Sequence, residues 1–471
     1  MTHLSKTNYI TWRDCKKNAW LKIHKSEVYF ANSLSDFEKQ IIEAGNEVDL
    51  LAREIFPHAQ FQTKFESEQF LVITDIIEEK SDGLHLYEVK ATNEIDKKTH
   101  YHDLTFQVNV LESLGKKVLS ANLAHLNKDY VRKGDLDLQE LFQIEDVTET
   151  VRQMQDEVRE EMDLAFAYLN QKDEPKGPCD CLNKGRSAHC TTFSYSNPNV
   201  PEYSVHDLAR IGLSKRKLTE LVDSNIFDID SIPEDLKLSE IQENQIWTHK
   251  HDRPILSKEN ISEVFSDLEF PLHFLDYETF PSAIPRFSGY SPYQQIPFQY
   301  SLHILDTPEA EPRHLDFLHT STDDPTEKFA DSLMNHVLGK GHVVVWHKGF
   351  ELGRNKEVAE RYPNSAKFFA NLEDRVFDLE DIFKKQYYVH KDFRGSSSIK
   401  KVLPVLAPDL NYKDLNISEG GSAAEAWNRL ITDNKIGDEE KEQIKKDLEE
   451  YCRLDTYAMY RVWKALLNLI S

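Results

Sequence analysis

Apolar positions along the 471-residue chain change their period several times, and each change marks an element. Alternation of apolar and polar residues predicts strands at Phe70–Ile77, Leu84–Ala91 and Lys117–Ala124. A period near 3.6 predicts helices over Tyr9–Ile23, Leu34–Ile55, Tyr101–Leu114 and Glu149–Leu169. Residues 1–200 therefore read as one α/β domain, closing in Gly-Pro-Cys-Asp-Cys and the Asn- and Pro-rich Tyr195–Pro201. Residues 201–260 read as a small helical linker module, with Ser204–Leu213 and Leu218–Val222 as a helix pair about a glycine turn or as a plain spacer. In residues 268–471, strands at Leu272–Tyr277, Phe298–Leu305 and His342–His347 alternate with helices at Thr326–Leu338, Leu352–Arg361, Ser398–Leu406, Ala423–Leu430 and Glu439–Ile470. That alternation is the mark of an α/β layer fold.

Composition narrows the classes. With 39% hydrophobic and 29% charged residues the chain has the make-up of a soluble globular protein. No apolar run is long enough to span a bilayer, and Met-Thr-His-Leu-Ser-Lys opens no secretory h-region. The expectation is a cytoplasmic protein with no membrane partner. A net charge of −24, from 57 basic and 81 acidic residues, excludes a protein held on DNA by bulk positive charge. It does not exclude a nuclease, whose metal sites concentrate carboxylates. Basic groups near Arg13–Lys25, Lys215–Lys217 and Arg394–Lys401 read singly as solvated faces. Five cysteines make no disulfide framework. Cys179, Cys181 and Cys190 fall within twelve residues, Cys15 stands alone near the start, and Cys452 reads as a packed helix cysteine.

Two acidic signatures dominate the C-terminal half. Asp276 and Glu278 are i and i+2 on an expected strand and share one side of it. Tyr451 and Asp455 are i and i+4 on an expected helix and share one face. Between them, Gly341–His347 reads as a buried strand that delivers Phe350-Glu351 near its end. Clustered carboxylates with one tyrosine can hold two divalent cations and aim a water at a phosphodiester. Either tripartite fragment alone carries little weight, and chance surface acids are the plain alternative. Taken in order, the parts resemble the DEDD exonuclease superfamily in its tyrosine-bearing form, with an RNase H-like fold. The resemblance implies that Asp276, Glu278, Glu351 and Asp455 bind two Mg²⁺ or Mn²⁺ ions and that Tyr451 positions the attacking water. Glu351 stands where most of these enzymes carry aspartate, and His347 where many carry asparagine. Asp378, Glu380 and Asp381 offer secondary acids. Gly395-Ser-Ser-Ser-Ile-Lys400-Lys401 reads as an anion site at a helix start or as an ordinary capped helix.

In the N-terminal half, Asp75 on one expected strand precedes Glu88-Val-Lys90 on the next. The commonest origin of Glu-x-Lys is an ion pair on a sheet surface. The surrounding order resembles the PD-(D/E)XK nuclease core. By that resemblance Asp75 and Glu88 ligate Mg²⁺ or Mn²⁺, Lys90 stabilises the nucleophile or the developing charge, and Glu47 on the preceding helix adds a ligand. Gln107, i+4 from Asp103, stands where RecB-like members carry a glutamine. One cysteine before this core and three after it resemble RecB-type nucleases with an iron–sulfur cluster. Cys15, Cys179, Cys181 and Cys190 would then hold one 4Fe–4S cluster. Their spacing, Cys-x-Cys and then eight residues to the next cysteine, departs from the usual one, so Zn²⁺ is the alternative. His189 is a substitute ligand or a solvated loop histidine.

The whole chain resembles an uncharacterised bacterial family that joins these two modules. The matching segments include Leu4-Ser-Lys-Thr-Asn-Tyr-Ile, Tyr87-Glu-Val-Lys-Ala-Thr, Asp103-Leu-Thr-Phe-Gln107, Cys179 to Cys190, Phe274-Leu-Asp-Tyr-Glu-Thr and Glu450-Tyr-Cys-Arg-Leu-Asp. This implies a two-site nuclease acting on nucleic acid, DNA before RNA, in end processing, repair or defence. Two rivals stand beside it: a single 3′–5′ exonuclease whose N-terminal domain only binds nucleic acid, and a non-enzymatic acidic scaffold with relic nuclease folds.

Overall fold

Six strands pair in the N-terminal half: β1 (Leu4–Ser5), β2 (Gln60–Glu66), β3 (Phe70–Lys80), β4 (Gly83–Lys90), β5 (Val118–Leu126) and β6 (Phe142–Asp146). The path runs β1-β3-β4-β5-β6, with β2 also on β3. β4 and β5 are parallel, and the buried helix His100–Ser113 makes the crossover that a parallel pair requires. That helix presents Leu104, Val108 and Leu111 to Leu86 and Leu123, while Phe106 and Val110 meet Tyr9, Trp20 and Met162 on its other side. The structure is a computed structural model and describes residues 2–30, 36–413, 415–417 and 419–471. It is mixed α/β throughout. Among the described residues no helix is long and apolar enough to cross a membrane.

The chain divides into two units. The first comprises Met1–His206, Ile211–Phe227 and Ser282–Gln294, and the second Asp207–Arg210, Asp228–Pro281 and Gln295–Ser471. The stretch 201–260, read from the sequence as a linker module, is thus shared between the two. Residues 282–294 count with the first unit because Ala283 and Ile284 pack among Val48, Ala52, Ile76 and Leu126. Arg132 Nη1 also donates to the carbonyls of Pro285 and Arg286 at 2.9 and 2.7 Å.

Two expectations need correction. Ser204–Leu213 is not a helix but two 3₁₀ turns, Val205–Asp207 and Ile211–Leu213, because Arg210 takes a positive φ of 57° between them. The helix Tyr9–Ile23 is two helices, Lys6–Asp14 and Lys16–His24, parted at Cys15, whose φ of −158° and ψ of 108° are extended. The break points to the sulfur chemistry below. The helix expected from Leu34 is described from Asp36, as Asp36–Glu54, and Leu34 itself lies outside the described residues.

The second unit holds β7 (Ile255–Leu256), β8 (Leu272–Pro281), β9 (Gln295–Leu305), β10 (Arg313–Leu318), β11 (Val343–Val345), β12 (Val376–Asp378) and β13 (Tyr388–Val389). Five of them form a sheet in the order β10-β9-β8-β11-β12, in which only β9 runs against the rest. β8 is central and covered on both faces. Leu275 and Tyr277 point into a core with Phe329 and Leu333, whereas Phe274 meets Tyr460 and Trp463 of the long helix Asp438–Ile470. That 33-residue helix buries Leu448, Tyr451, Cys452, Asp455, Met459 and Trp463, the stripe a helix lays on a sheet. Its register is pinned by Gln299 Nε2 donating to the Leu448 carbonyl (2.9 Å) and by the Ser301–Thr456 hydroxyl pair (2.7 Å).

The helix Gly420–Thr432 is held to the same sheet through Trp427. Its ring is fully buried, stacks on Phe298 at 4.6 Å and donates Nε1–H to the His319 carbonyl at 2.7 Å. Trp427→Ala should cost about 3–5 kcal/mol of unfolding free energy in a denaturant titration, since it removes a large buried ring and orphans a carbonyl.

Candidate metal centres

In the second unit β8 and the long helix deliver their acids to one place. Asp276 and Glu278 leave the same side of β8, with a β-bulge directly after Glu278. Tyr451 and Asp455 face them from the helix, one turn apart. Glu278, Asp455 and Tyr451 are buried. Asp276 keeps an opening to solvent, yet desolvation, then Asp455, Glu278 and Glu351, push its carboxyl well above the usual range. Glu278 is raised in the same way by burial and Asp455, with Lys400 opposing. Asp455 is pushed up to about 6 by burial, against hydrogen bonds from Tyr412 and Tyr451 and the charge of Lys400. The Tyr412 hydroxyl donates to Asp455 Oδ1 at 2.7 Å, and Lys400 Nζ lies over the Tyr412 ring.

Glu351 sits in the first turn of the helix Lys348–Arg361, after β11 stops at Val345 and His347 turns the chain at φ 73°. It is buried and its carboxyl is raised to about 8, first by desolvation and then by Asp378 and Glu380. Its Oε2 has no hydrogen-bond partner among the described residues. Asp378 accepts from the backbone N–H groups of His347, Lys348 and Glu380, which commits it to holding the turn. His347 is exposed and shares its Nδ1 with Glu380 at 3.2 Å. Asp455 raises both Asp276 and Glu278, Glu351 also acts on Asp276 and has an orphaned oxygen, and together these carboxylates make an oxygen-rich donor set that fits hard divalent cations such as Mg²⁺ or Mn²⁺.

In the first unit the sheet opens at the second acid cluster. The β3–β4 ladder is paired from Ile76 and Tyr87, and at the open end Asp75 Oδ2 accepts the Val89 N–H at 2.9 Å. Glu88 and Lys90, i and i+2 on β4, face the helix that carries Asp103 and Gln107. Lys90 Nζ lies 2.7 Å from Glu88 Oε1 and 2.5 Å from Asp103 Oδ2. Gln107 Nε2 donates to Glu88 Oε2 at 2.5 Å and to Asp103 Oδ1 at 3.2 Å, and its own buried Oε1 has no partner among the described residues. A second lysine enters from the chain start: Lys6 Nζ is 2.6 Å from Glu88 Oε1 and 3.4 Å from Asp103 Oδ1. Burial raises the Glu88 carboxyl, but the two lysines outweigh it and hold it well below the carboxylate range. Asp75 is pushed up to about 7 by burial and by Glu88. Glu47 stays exposed on Asp36–Glu54, where desolvation raises its carboxyl against the charge of Arg286; among the described residues no hydrogen bond or ion pair joins it to Asp75 or Glu88.

The four cysteines converge. The sulfurs of Cys15, Cys179, Cys181 and Cys190 all lie within 4.8 Å of one another. Cys179 and Cys190 approach to 3.9 Å, and Asn197 Nδ2 donates to Cys179 Sγ at 3.2 Å. Neighbouring thiols, Cys15 first, hold Cys179 well below the thiol range. Four sulfurs at this separation could bind a metal. Lys184 lies close enough to feel Cys181 and Cys15, and His189 is turned away, stacked on Phe193 with Nε2 on the Lys184 carbonyl.

Lys6, Tyr412 and Cys452 carried no functional signal in the sequence reading. Cys452 Sγ lies within 4.8 Å of carboxylate oxygens of Asp276 and Glu278, because it is one residue from Tyr451 on the same helix turn. Only the helical register could have flagged it. Tyr412 and Lys6 reach their acids from distant parts of the chain.

Two outcomes test the centres. Glu351→Gln should stabilise the metal-free protein at pH 8 by ~2 kcal/mol in chelator-treated unfolding. A carboxyl whose folded value lies above its unfolded one costs stability once pH passes the unfolded value of about 4.3, so the gain fades as pH falls from 8 towards 4. Cys181→Ser should strip iron or zinc from the purified protein and lower its melting temperature. Elemental analysis and visible absorbance read the loss and tell a cluster from Zn²⁺.

Residues 273–398 match DUF2779, a domain of unknown function. The matched span contains Asp276, Glu278 and Glu351 and stops before Tyr451 and Asp455. No curated protein matches the chain.

Proposed function

We propose that the protein is a metal-dependent nuclease with two active sites, a 3′–5′ exonuclease in the second unit and a RecB-like DNA nuclease in the first. The observation that carries the reading is the convergence of Asp276, Glu278 and Asp455, with Tyr451, from β8 and the long helix. Buried acids that push one another upward are an unstable arrangement at neutral pH unless cations balance them. The sheet order supports it as well. Third, second, first, fourth, fifth, with only the second strand reversed, is the order of RNase H-like sheets. In the first unit, a helix, three antiparallel strands, a crossover helix and a parallel strand follow the order of PD-(D/E)XK cores.

Divalent cations on these acids would polarise the scissile phosphate and activate a water. The chain's own groups do the rest. The Tyr451 hydroxyl, hydrogen-bonded to Asp455, orients the water. Lys400 sets positive charge beside the same acids for a phosphate oxygen. In the first unit Lys90 is placed to stabilise developing negative charge beside Glu88. The four cysteines would hold a 4Fe–4S cluster that ties Cys15, near the chain start, to the segment that follows the helix Thr148–Leu169.

End-labelled DNA and RNA with Mg²⁺ or Mn²⁺ test this. Asp276→Ala with Glu278→Ala should lower mononucleotide release from 3′ ends by about a thousandfold or more. Glu88→Ala with Lys90→Ala should leave that release intact and remove a second cleavage of DNA. If the first pair abolishes all cleavage, one site does everything. If neither pair changes anything because nothing is cut, the scaffold reading stands.

A further inference from the structure

Lys6 has no local reason to be where it is. It opens the helix Lys6–Asp14, whose first turn carries no acid, and a cation there faces the positive end of the helix dipole. The chain nevertheless fixes it firmly. Leu4 is buried, β1 pairs in parallel with β3, the strand of Asp75, and the Ser5 hydroxyl caps the helix through Asn8 N–H at 3.2 Å. The outcome is an ammonium group 2.6 Å from Glu88 Oε1, beside Asp103, close enough for Asp75 to feel it.

The two acid clusters differ in this respect. In the first unit Asp75, Glu88 and Asp103 face two ammonium groups, Lys6 and Lys90. In the second, the charge of Lys400 acts on Glu278 and Asp455 and that of Arg354 on Glu351, and none of these acids has an ammonium group in a described hydrogen bond or ion pair. Both ammonium groups of the first unit sit on the same oxygen, Glu88 Oε1, while Oε2 is held by Gln107. Lys90 matches the lysine of the Glu-x-Lys pattern. Lys6 is the additional one, and it bridges Glu88 Oε1 and Asp103 Oδ1.

We propose that Lys6 stands in for a second cation, so that the N-terminal centre takes one divalent ion where the C-terminal centre takes two. The proposal rests on the nuclease reading of the N-terminal centre and adds its ion count. Lys6 would supply a fixed positive charge against the phosphate, with no bond made or broken at the lysine.

The test counts Mn²⁺ by the electron paramagnetic resonance of the free ion. It uses full-length protein with the cysteine site filled, in the Asp276→Ala/Glu278→Ala background. One Mn²⁺ should bind, and none when Glu88→Ala and Lys90→Ala are added. Lys6→Met should admit a second Mn²⁺, raising the count from one to two per chain. Cleavage by Lys6→Met should fall at low Mn²⁺ and return at high Mn²⁺, with the dependence changing from first to second order. Lys6→Arg should keep the single ion. Two Mn²⁺ in the background protein would overturn the proposal even if Lys6→Met fails to fold, and so would an unchanged count in a folded Lys6→Met protein. Absence of cleavage by the background protein would count against the nuclease reading alone, because the ion count still decides the role of Lys6.

Discussion

Carboxylates taken out of water and set side by side repel one another, and both units of this chain build rigid backbone to hold such groups together. In the second unit the holding is mechanical. β8 is the central strand of its sheet, covered on both faces, and the long helix is tied to β9 by the Gln299 and Ser301 hydrogen bonds. Neither element can yield to relieve the crowding of Asp276, Glu278 and Asp455, so the cost appears as carboxyls that cling to protons. In the first unit the holding is electrostatic. Lys6 and Lys90 are set against Glu88 and Asp103, and Glu88 is driven the other way.

Local irregularities sit where chemistry is expected. The register shift beside Glu278 leaves Phe298 of β9 as the extra residue opposite β8, and the β3–β4 ladder gives way at Asp75 so that its carboxylate can take over a backbone N–H. Cys15 leaves helical geometry between two helices and so turns towards Cys179, Cys181 and Cys190. His347 adopts a left-handed conformation at the start of the helix that carries Glu351, and Asp378 steadies it through three backbone donors. Each departure costs local stability that the surrounding packing must supply.

Much of this was legible in the sequence, for reasons of period. Asp276 with Glu278, Glu88 with Lys90, and Tyr451 with Asp455 each lie within one element, where spacing alone decides which way side chains point. The sequence also placed most of the longer helices, and the strands β3, β4, β5, β8, β9 and β11, within a few residues. It missed the helix break at Cys15 and the turns at Ser204–Leu213, because both follow from non-helical dihedrals at single residues that carry no proline or glycine signal of their own. Short strands such as β1, β7 and β12 were equally hidden, since two or three residues cannot display a period.

By itself the sequence determined which acids, lysines and cysteines could act together on one face of one strand or helix, and that the chain is built of alternating strands and helices. Only the tertiary structure decided that Lys6 completes a cluster centred on Glu88, that Tyr412 and Lys400 join Asp455, that Cys452 borders the acids, and that Glu47 stays exposed on its helix. The physical reason is range. Covalent geometry sets the direction of neighbouring side chains, whereas a contact between residues far apart in the chain depends on how whole elements pack, and no local pattern encodes that.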